Sequence, residues 1–174
     1  MLFRSQQGLV LHCSSFSKCL APGYRLGWAA PGRFTQAVAR QKLTTTLGAS
    51  APVQLALADY LRRGGYDKHL RRLRQTLATR KARMIEAVGR HFPPGTRATQ
   101  PEGGYFIWVE LPVGCDTLLL HRWALQQGIS IAPGPIFSAS RNFSHCLRQN
   151  YGQEWNARTE QALATLGRLA QALY

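Results

Sequence analysis

The chain has 174 residues, of which 45% are hydrophobic, and a formal net charge of +14. This hydrophobic content is ordinary for a packed globular protein and argues against disorder. No apolar run approaches the length of roughly 20 residues that spans a membrane. Residues 1–7 lack the apolar core and cleavage site of a secretory signal, so we expect a cytoplasmic protein. The four cysteines have no Cys-x-x-Cys spacing and no histidine pair has helix-face metal spacing, which predicts free thiols and no metal site.

The N-terminal stretch predicts two strands joined by a turn. An apolar, β-favouring run from Gly8 to Cys13 forms the first strand. The dipeptide Pro22-Gly23 strongly favours a turn, after which the chain returns as a second strand from Tyr24 to Ala30. Such a reversal lets Lys18 and Arg25 face one small volume.

Two serines, Ser15 and Ser17, are predicted to share a face with these cations because they alternate by two along the strand. Arginine offers a rigid fork of donors to a phosphate, and hydroxyls add further donors. A lysine whose ammonium form is disfavoured by desolvation and a neighbouring cation becomes a nucleophilic amine. Together, Lys18 and Arg25 predict a Schiff-base lysine beside a phosphate anchor, as pyridoxal phosphate requires. The spacing alone leaves open that both cations merely flank a surface loop.

The middle of the chain predicts three helices. The first runs from Phe34 to Leu43 and is followed by a polar break over residues 44–50. A second helix runs from Pro52 to Leu61 and is ended by the glycines at positions 64 and 65. A long basic helix then runs from Tyr66 to about Phe92.

The basic charge of the long helix invites a nucleic-acid interpretation. Ten of the 22 basic residues lie between Arg62 and Arg90. The same segment carries an apolar stripe at helical spacing, formed by Leu70, Leu73, Leu77, Met84 and Val88. The basic residues are then the solvated face of an amphipathic helix, and no aromatic residues are interleaved for stacking on bases. We therefore do not expect this chain itself to bind DNA.

From Thr96 onward the pattern alternates strand, helix, strand and helix, which predicts a compact α/β sandwich. The predicted elements are a strand at 105–111, a helix capped by Asp116, strands at 129–132 and 144–150, and a helix capped by Asn156. Gly103 and Gly104 could permit close approach of the backbone to a ligand. Arg148 should have an anionic partner, either a structural or a substrate carboxylate. Phe137, Tyr105 and Trp108 are interpreted as core residues rather than ligand contacts.

The tract Ser15-Phe16-Ser17-Lys18, followed by residues 21–27 (Ala-Pro-Gly-Tyr-Arg-Leu-Gly), resembles the lysine signature of fold-type I pyridoxal-phosphate aminotransferases. In that family the lysine forms the internal aldimine, and the serine and arginine at these spacings bind the cofactor phosphate. The resemblance gives these roles to Lys18, Ser15 and Arg25, with Ser17 as a further cofactor-binding candidate. It continues through residues 102–112, 132–137 and 146–150, where the family's substrate-carboxylate arginine falls on Arg148.

A second tract, residues 64–74 (Gly-Gly-Tyr-Asp-Lys-His-Leu-Arg-Arg-Leu-Arg), resembles the MocR-type regulators. These carry a winged-helix GntR-type DNA-binding domain fused to an aminotransferase-like domain. The resemblance covers only the C-terminal part of such a protein. It implies an α/β fold in three parts: the end of the large cofactor domain (1–33), linking helices (34–95) and a small C-terminal domain (96–174).

The resemblance implies pyridoxal phosphate as cofactor, an amino acid as effector or substrate, and a homodimer when the protein is full length. DNA would be bound only through an N-terminal domain absent here. In the family, the groups that pair with the pyridine nitrogen and stack on the ring precede the lysine, so we expect negligible transaminase activity from this chain alone. Two alternatives stay open, namely a piece of a genuine aminotransferase and a basic binding or dimerisation domain without pyridoxal-phosphate chemistry.

Overall fold

A computed structural model describes residues 8–174, and the segment considered above for a secretory signal, residues 1–7, lies outside the described residues. The chain divides into two compact units, with the division between Leu73 and Arg74 inside a long helix. The domain boundaries expected after residues 33 and 95 stay predictions.

The first unit begins with an antiparallel pair of strands, β1 (His12–Ser15) and β2 (Gly27–Ala30), in which Ser15 lies opposite Gly27. The predicted reversal is therefore confirmed, although β1 starts later than the apolar run suggested. Pro31 follows β2 and has no N–H to donate, so the pairing extends no further than His12. A side chain at position 27 would bring its Cβ within 2.6 Å of the Ser14 carbonyl oxygen, which explains the glycine there.

Two helices follow in this unit, α1 (Thr35–Thr46) and α2 (Ala51–Arg62). The polar break predicted from residue 44 is wrong at its start, because α1 continues to Thr46. The hydroxyls of residues 44–46 donate to helix carbonyls one turn earlier, at positions 40, 41 and 42. The threonine hydroxyls thus find hydrogen-bond acceptors within the helix, and these residues remain helical.

The long helix α3 (Gly65–His91) matches the predicted basic helix closely. It starts after Gly64, whose φ of +73° suits glycine, and ends before Pro93. Its C-terminal half buries Met84 and Val88 of the predicted stripe, together with Ala87. None of the helices between residues 8 and 174 has the length and apolarity needed to cross a bilayer.

The second unit contains a four-stranded antiparallel sheet with the order β3-β4-β6-β5. Its strands are β3 (Arg97–Ala98), β4 (Phe106–Glu110), β5 (Ala132–Pro133) and β6 (Cys146–Asn150). One face of the sheet is buried in a core with α3 and with two further helices, α4 (Thr117–Gln126) and α5 (Ala157–Gln171). This layered α/β arrangement agrees with the predicted fold class. The opposite face of β4 and β6 carries Phe106, Trp108 and Arg148, because side chains alternate along a strand.

The predicted helix caps are both present. Asp116 accepts hydrogen bonds from the amides of Leu118 (2.8 Å) and Leu119 (3.2 Å), and Asn156 accepts one from Thr159 (3.0 Å). The last helix packs Leu163 and Leu166 into the core, as its leucine spacing predicted.

Replacing Asp116 with alanine is expected to lower the free energy of unfolding by about 1 kcal/mol, because two amides at the start of α4 lose their acceptor. Urea unfolding followed by circular dichroism measures this loss. Asp116→Asn is the matched control, since its side-chain oxygen can accept the same bonds. An equal loss in both variants would show that the charge of Asp116, rather than its capping oxygen, is what stabilises the helix.

Candidate functional site

Lys18 lies in a tight helical turn that follows β1. The amides of Leu20 and Ala21 both donate to the carbonyl oxygen of Phe16, at 2.9 and 3.0 Å. The Phe16 amide in turn donates to the carbonyl of Leu26 (3.0 Å), which ties the turn to the returning chain. The Phe16 ring is buried, whereas the Lys18 side chain is exposed.

Three of the predicted cofactor-binding side chains meet beside this turn. The Ser15 hydroxyl donates to Ser17 Oγ (3.0 Å), and Arg25 Nη1 donates to the same oxygen (3.3 Å). Arg25 has a left-handed backbone, with φ of 47°, at the end of a short 3₁₀ helix (Pro22–Tyr24). The strand alternation invoked for Ser17 was wrong, because β1 ends at Ser15 and Ser17 reaches the cluster from the turn.

This cluster of Ser15, Ser17 and Arg25 has the donors that a phosphate group needs. It combines two hydroxyls with a guanidinium fork, and such a fork pairs with phosphate oxygens in a bidentate manner. Asp59 pairs with Arg62 and Arg63, and no carboxylate among the described residues 8–73 forms an ion pair with Arg25. The residues present therefore fit the phosphate of pyridoxal phosphate, with an exposed lysine next to it.

Arg148, in the second unit, contacts two aromatic rings. Its guanidinium carbon is 4.2 Å from the centroid of the Phe106 ring and 4.5 Å from that of Phe137. Trp108 lies opposite Arg148 in the β4–β6 register and contacts Phe137 edge-on, with centroids 5.6 Å apart. Aromatic rings this close to a guanidinium stabilise its charge through cation–π interactions, and guanidinium N–H groups can bind a planar anion in a bidentate manner.

The anionic partner expected for Arg148 is not found among residues 74–174, whose ion-paired carboxylates bind other cations. These pairs are Glu86 with Arg90, Glu160 with Arg90 and His91, and Glu110 with Arg97 and His145. The interpretation of Phe137 as core was also wrong, since its ring is partly exposed and contacts Arg148. Phe106 was missed, although the alternation of β4 places it on the same face as Trp108.

A groove of about 780 Å³ opens beside Arg148. It is lined by Phe106 and Gln149, by the loop that leads into β5, and by the start of α5. This volume is within the range of small-molecule sites, roughly 300–1,000 Å³. The side-chain nitrogen of Gln149 is buried and has no hydrogen-bond partner within the described part of the chain.

Gly103 and Gly104 lie in the bend before β4. Gly104 has φ of +99°, a backbone conformation that favours glycine, and neither residue would bring a Cβ within 4 Å of another group. The bend is therefore open on its surface. The ligand contact expected at these two glycines stays a prediction.

Two titratable groups on the strands β4 and β6, Glu110 and Cys146, have pKa values shifted by their surroundings. Burial raises the pKa of the Cys146 thiol, which keeps it protonated. A hydrogen bond from Arg97, 2.7 Å long, holds the pKa of Glu110 below its usual range. Within residues 8–174, no group of three or more histidine, cysteine or acidic side chains is placed to hold a metal ion.

Comparison with known proteins identifies relatives of two kinds. The chain is 49% identical over 162 residues to the uncharacterised HTH-type transcriptional regulator YdcR of Escherichia coli, an alignment that covers 93% of this chain and 35% of that protein. It is 34% identical over 147 residues to aromatic-amino-acid aminotransferase 1 of Thermococcus litoralis, covering 84% of this chain and 35% of the relative. The chain thus spans about a third of the length of the curated relatives it matches. No family model matches it.

Solved structures of aminotransferases also match this chain. The α-aminoadipate aminotransferase LysN of Thermus thermophilus, solved with N-(5'-phosphopyridoxyl)-L-leucine, superposes with a TM-score of 0.84 and 30% identity, over 94% of this chain and 42% of that one. The kynurenine aminotransferase of Pyrococcus horikoshii gives a TM-score of 0.87, also at 30% identity, over 97% and 42%. This chain has the fold of part of a fold-type I aminotransferase, and its homologues are MocR-type regulators and aminotransferases. Pyridoxal phosphate is the cofactor of that family.

Proposed function

We propose that this chain is the C-terminal part of the effector-binding domain of a MocR-type transcriptional regulator, which carries pyridoxal phosphate on Lys18 and binds an amino acid. The observation that carries the proposal is the hydrogen-bonded cluster of Ser15, Ser17 and Arg25 beside that lysine. The choice of a regulator is supported by 49% identity to YdcR, compared with 34% to an aminotransferase. Covalent capture of pyridoxal phosphate at Lys18 is the decisive test.

Each residue of the lysine turn has a separate role in this proposal. The bound cofactor would supply an aldehyde that reacts with amines and a ring that withdraws electrons. Lys18, an exposed residue, would hold the cofactor covalently through its Nζ. Arg25 and the two serine hydroxyls would hold its phosphate through charge-assisted hydrogen bonds. Lys18 Nζ is also our candidate to move the proton at the amino acid's Cα.

Arg148 is the proposed partner of the amino acid's carboxylate. The proposal is supported by the two rings that contact its guanidinium, by its lack of a carboxylate partner within residues 74–174, and by the adjoining groove. A carboxylate can accept two parallel hydrogen bonds from a guanidinium, which fixes its orientation as well as its charge.

Substituting Arg148 with glutamine is expected to abolish, and with lysine to weaken about tenfold, the binding of L-phenylalanine, because the paired charge-assisted hydrogen bonds are lost. Binding is followed through the NMR signals of the Trp108 backbone N–H and indole N–H, which every variant retains and which lie opposite position 148 in the sheet. Phenethylamine, which lacks the carboxylate, is the matched ligand control. If phenethylamine shifted these signals as strongly as phenylalanine, the carboxylate role of Arg148 would be wrong.

A genuine aminotransferase is the second candidate, and the 34% identity to the Thermococcus litoralis enzyme favours it. An upstream winged helix in the full-length gene would support the regulator, and its absence would support the enzyme. Under either candidate the complete protein would be a cytoplasmic homodimer that recognises an amino acid, and the regulator would bind DNA through the upstream domain. We expect negligible transamination by this chain alone, and sustained conversion of an amino acid to its 2-oxo acid by the purified chain would contradict that expectation.

A further inference from the structure

The first turns of α3, within the tract that resembles MocR-type regulators, contact the turn that carries Lys18. His69 Nε2 lies 2.8 Å from the carbonyl oxygen of Cys19, the residue directly after the lysine. A carbonyl oxygen can only accept, so the imidazole donates through Nε2. His69 therefore holds the backbone on the C-terminal side of Lys18.

Tyr66 holds the same turn through two further contacts. Its hydroxyl is 3.1 Å from Cys19 Sγ, and its ring meets the Phe16 ring edge-on, with centroids 6.0 Å apart. The Cys19 thiol also lies within donating distance of the Ser15 carbonyl, at 3.5 Å. When the thiol donates to Ser15, the Tyr66 hydroxyl is the donor to sulfur, and both interactions are satisfied together.

The turn is thus held on both sides of the exposed lysine. Phe16, two residues before Lys18, packs on the Tyr66 ring. Cys19, one residue after Lys18, is hydrogen-bonded to Tyr66 through its thiol and to His69 through its carbonyl oxygen. The two α3 residues are three apart, so they project from one side of the helix. Neither belongs to the hydroxyl and guanidinium cluster, so their role is separate from phosphate binding.

We infer that Tyr66 and His69 are positioning residues that set where the Lys18 amine lies relative to the phosphate-binding cluster. The inference rests on the proposed function, because a cofactor attached through both its phosphate and its aldehyde requires a fixed spacing between the two anchors. A small misplacement of a reacting group costs rate even when every chemical group is present.

Amide hydrogen exchange of Leu20 and Ala21 in the 174-residue chain tests the contact without any cofactor. His69→Ala is expected to accelerate exchange of these two amides about fivefold, because the loss of one ordinary hydrogen bond shifts local opening by that factor. Tyr66→Phe keeps the ring contact and removes only the hydroxyl, so we expect a smaller increase. Lys68→Ala, at the exposed position beside His69, is the matched control and should leave exchange unchanged. His69→Gln, whose amide can donate from a similar reach, should restore slow exchange.

Reductive labelling with pyridoxal phosphate and cyanoborohydride then measures how readily the Lys18 amine captures the cofactor. The readout is the ratio of label at Lys18 to label at Lys42. The wild-type chain should favour Lys18, and His69→Ala should reduce this ratio about fivefold, in line with the loosened turn. Exchange in His69→Ala equal to that in the Lys68→Ala control would overturn the inference, as would faster exchange with an unchanged labelling ratio. If the wild-type chain labels Lys18 and Lys42 equally, the proposed function fails, and the exchange measurement alone decides whether α3 holds the turn.

Discussion

Lys18→Ala is expected to abolish the saturable visible absorbance that the chain develops with pyridoxal phosphate, together with the borohydride-stable label. The lysine amine is the group that bonds to the cofactor aldehyde, and the serine hydroxyls and guanidinium beside it cannot replace a nucleophilic amine. The measurement is a spectroscopic titration followed by reduction and peptide mass mapping.

Two variants separate covalent capture from phosphate binding. Lys42→Ala removes another exposed lysine, on α1, and should leave the titration unchanged. Arg25→Gln should keep the label at Lys18 but weaken the apparent affinity by about tenfold or more, because charge-assisted hydrogen bonds to the phosphate are lost. A band of equal amplitude in Lys18→Ala would place the reaction at other lysines and refute the proposed site.

Gly167→Ala is expected to destabilise the second unit by about 2–3 kcal/mol, the usual cost of forcing extra volume into a packed contact. Gly167 lies where α5 passes the end of α3, and an added Cβ would overlap the carbonyl oxygen of His91 and lie 2.7 Å from its carbonyl carbon. Both obstructing atoms belong to the backbone, so no side-chain rotation relieves the overlap. Urea unfolding by circular dichroism gives the change in the free energy of unfolding.

Gly89→Ala is the matched control for this substitution. Gly89 lies in α3 with no other group within 4 Å of an added Cβ. Alanine there should raise the free energy of unfolding by about 0.5–1 kcal/mol, because glycine loses more backbone entropy in a helix. The two glycine variants should therefore differ in sign. Stabilisation by both would mean that α5 and α3 do not approach as closely as the structure describes.

Local signals in the sequence were sufficient for most elements of the fold. Asp116 and Asn156 cap helices at the predicted positions, and glycine and proline punctuate the chain where the elements end. These features depend on interactions within a few residues, so they can be recognised without knowledge of distant contacts. The end of α1 was predicted less well, because a threonine can bond either within a helix or outside it.

The lysine signature is also local, which is why the sequence alone assigned Lys18, Ser15 and Arg25 to one small volume. These residues lie within a dozen positions of one another in the sequence, on a turn whose two flanking strands pair directly. The route by which Ser17 joins them depends on where β1 ends, and that is set by the pairing with β2.

Contacts between distant segments could not be predicted from the sequence, because they depend on strand register and helix packing. The rings that contact Arg148 come from β4 and from a 3₁₀ turn (Gly134–Phe137) that follows β5, and the pairing of both strands with β6 brings them to the arginine. Tyr66 and His69 lie 47 and 50 residues from Cys19 along the chain, yet they hold the turn beside Lys18. Composition and periodicity predict which face of an element is buried, but they carry no information about which segment covers it, because that choice depends on packing among all the elements at once.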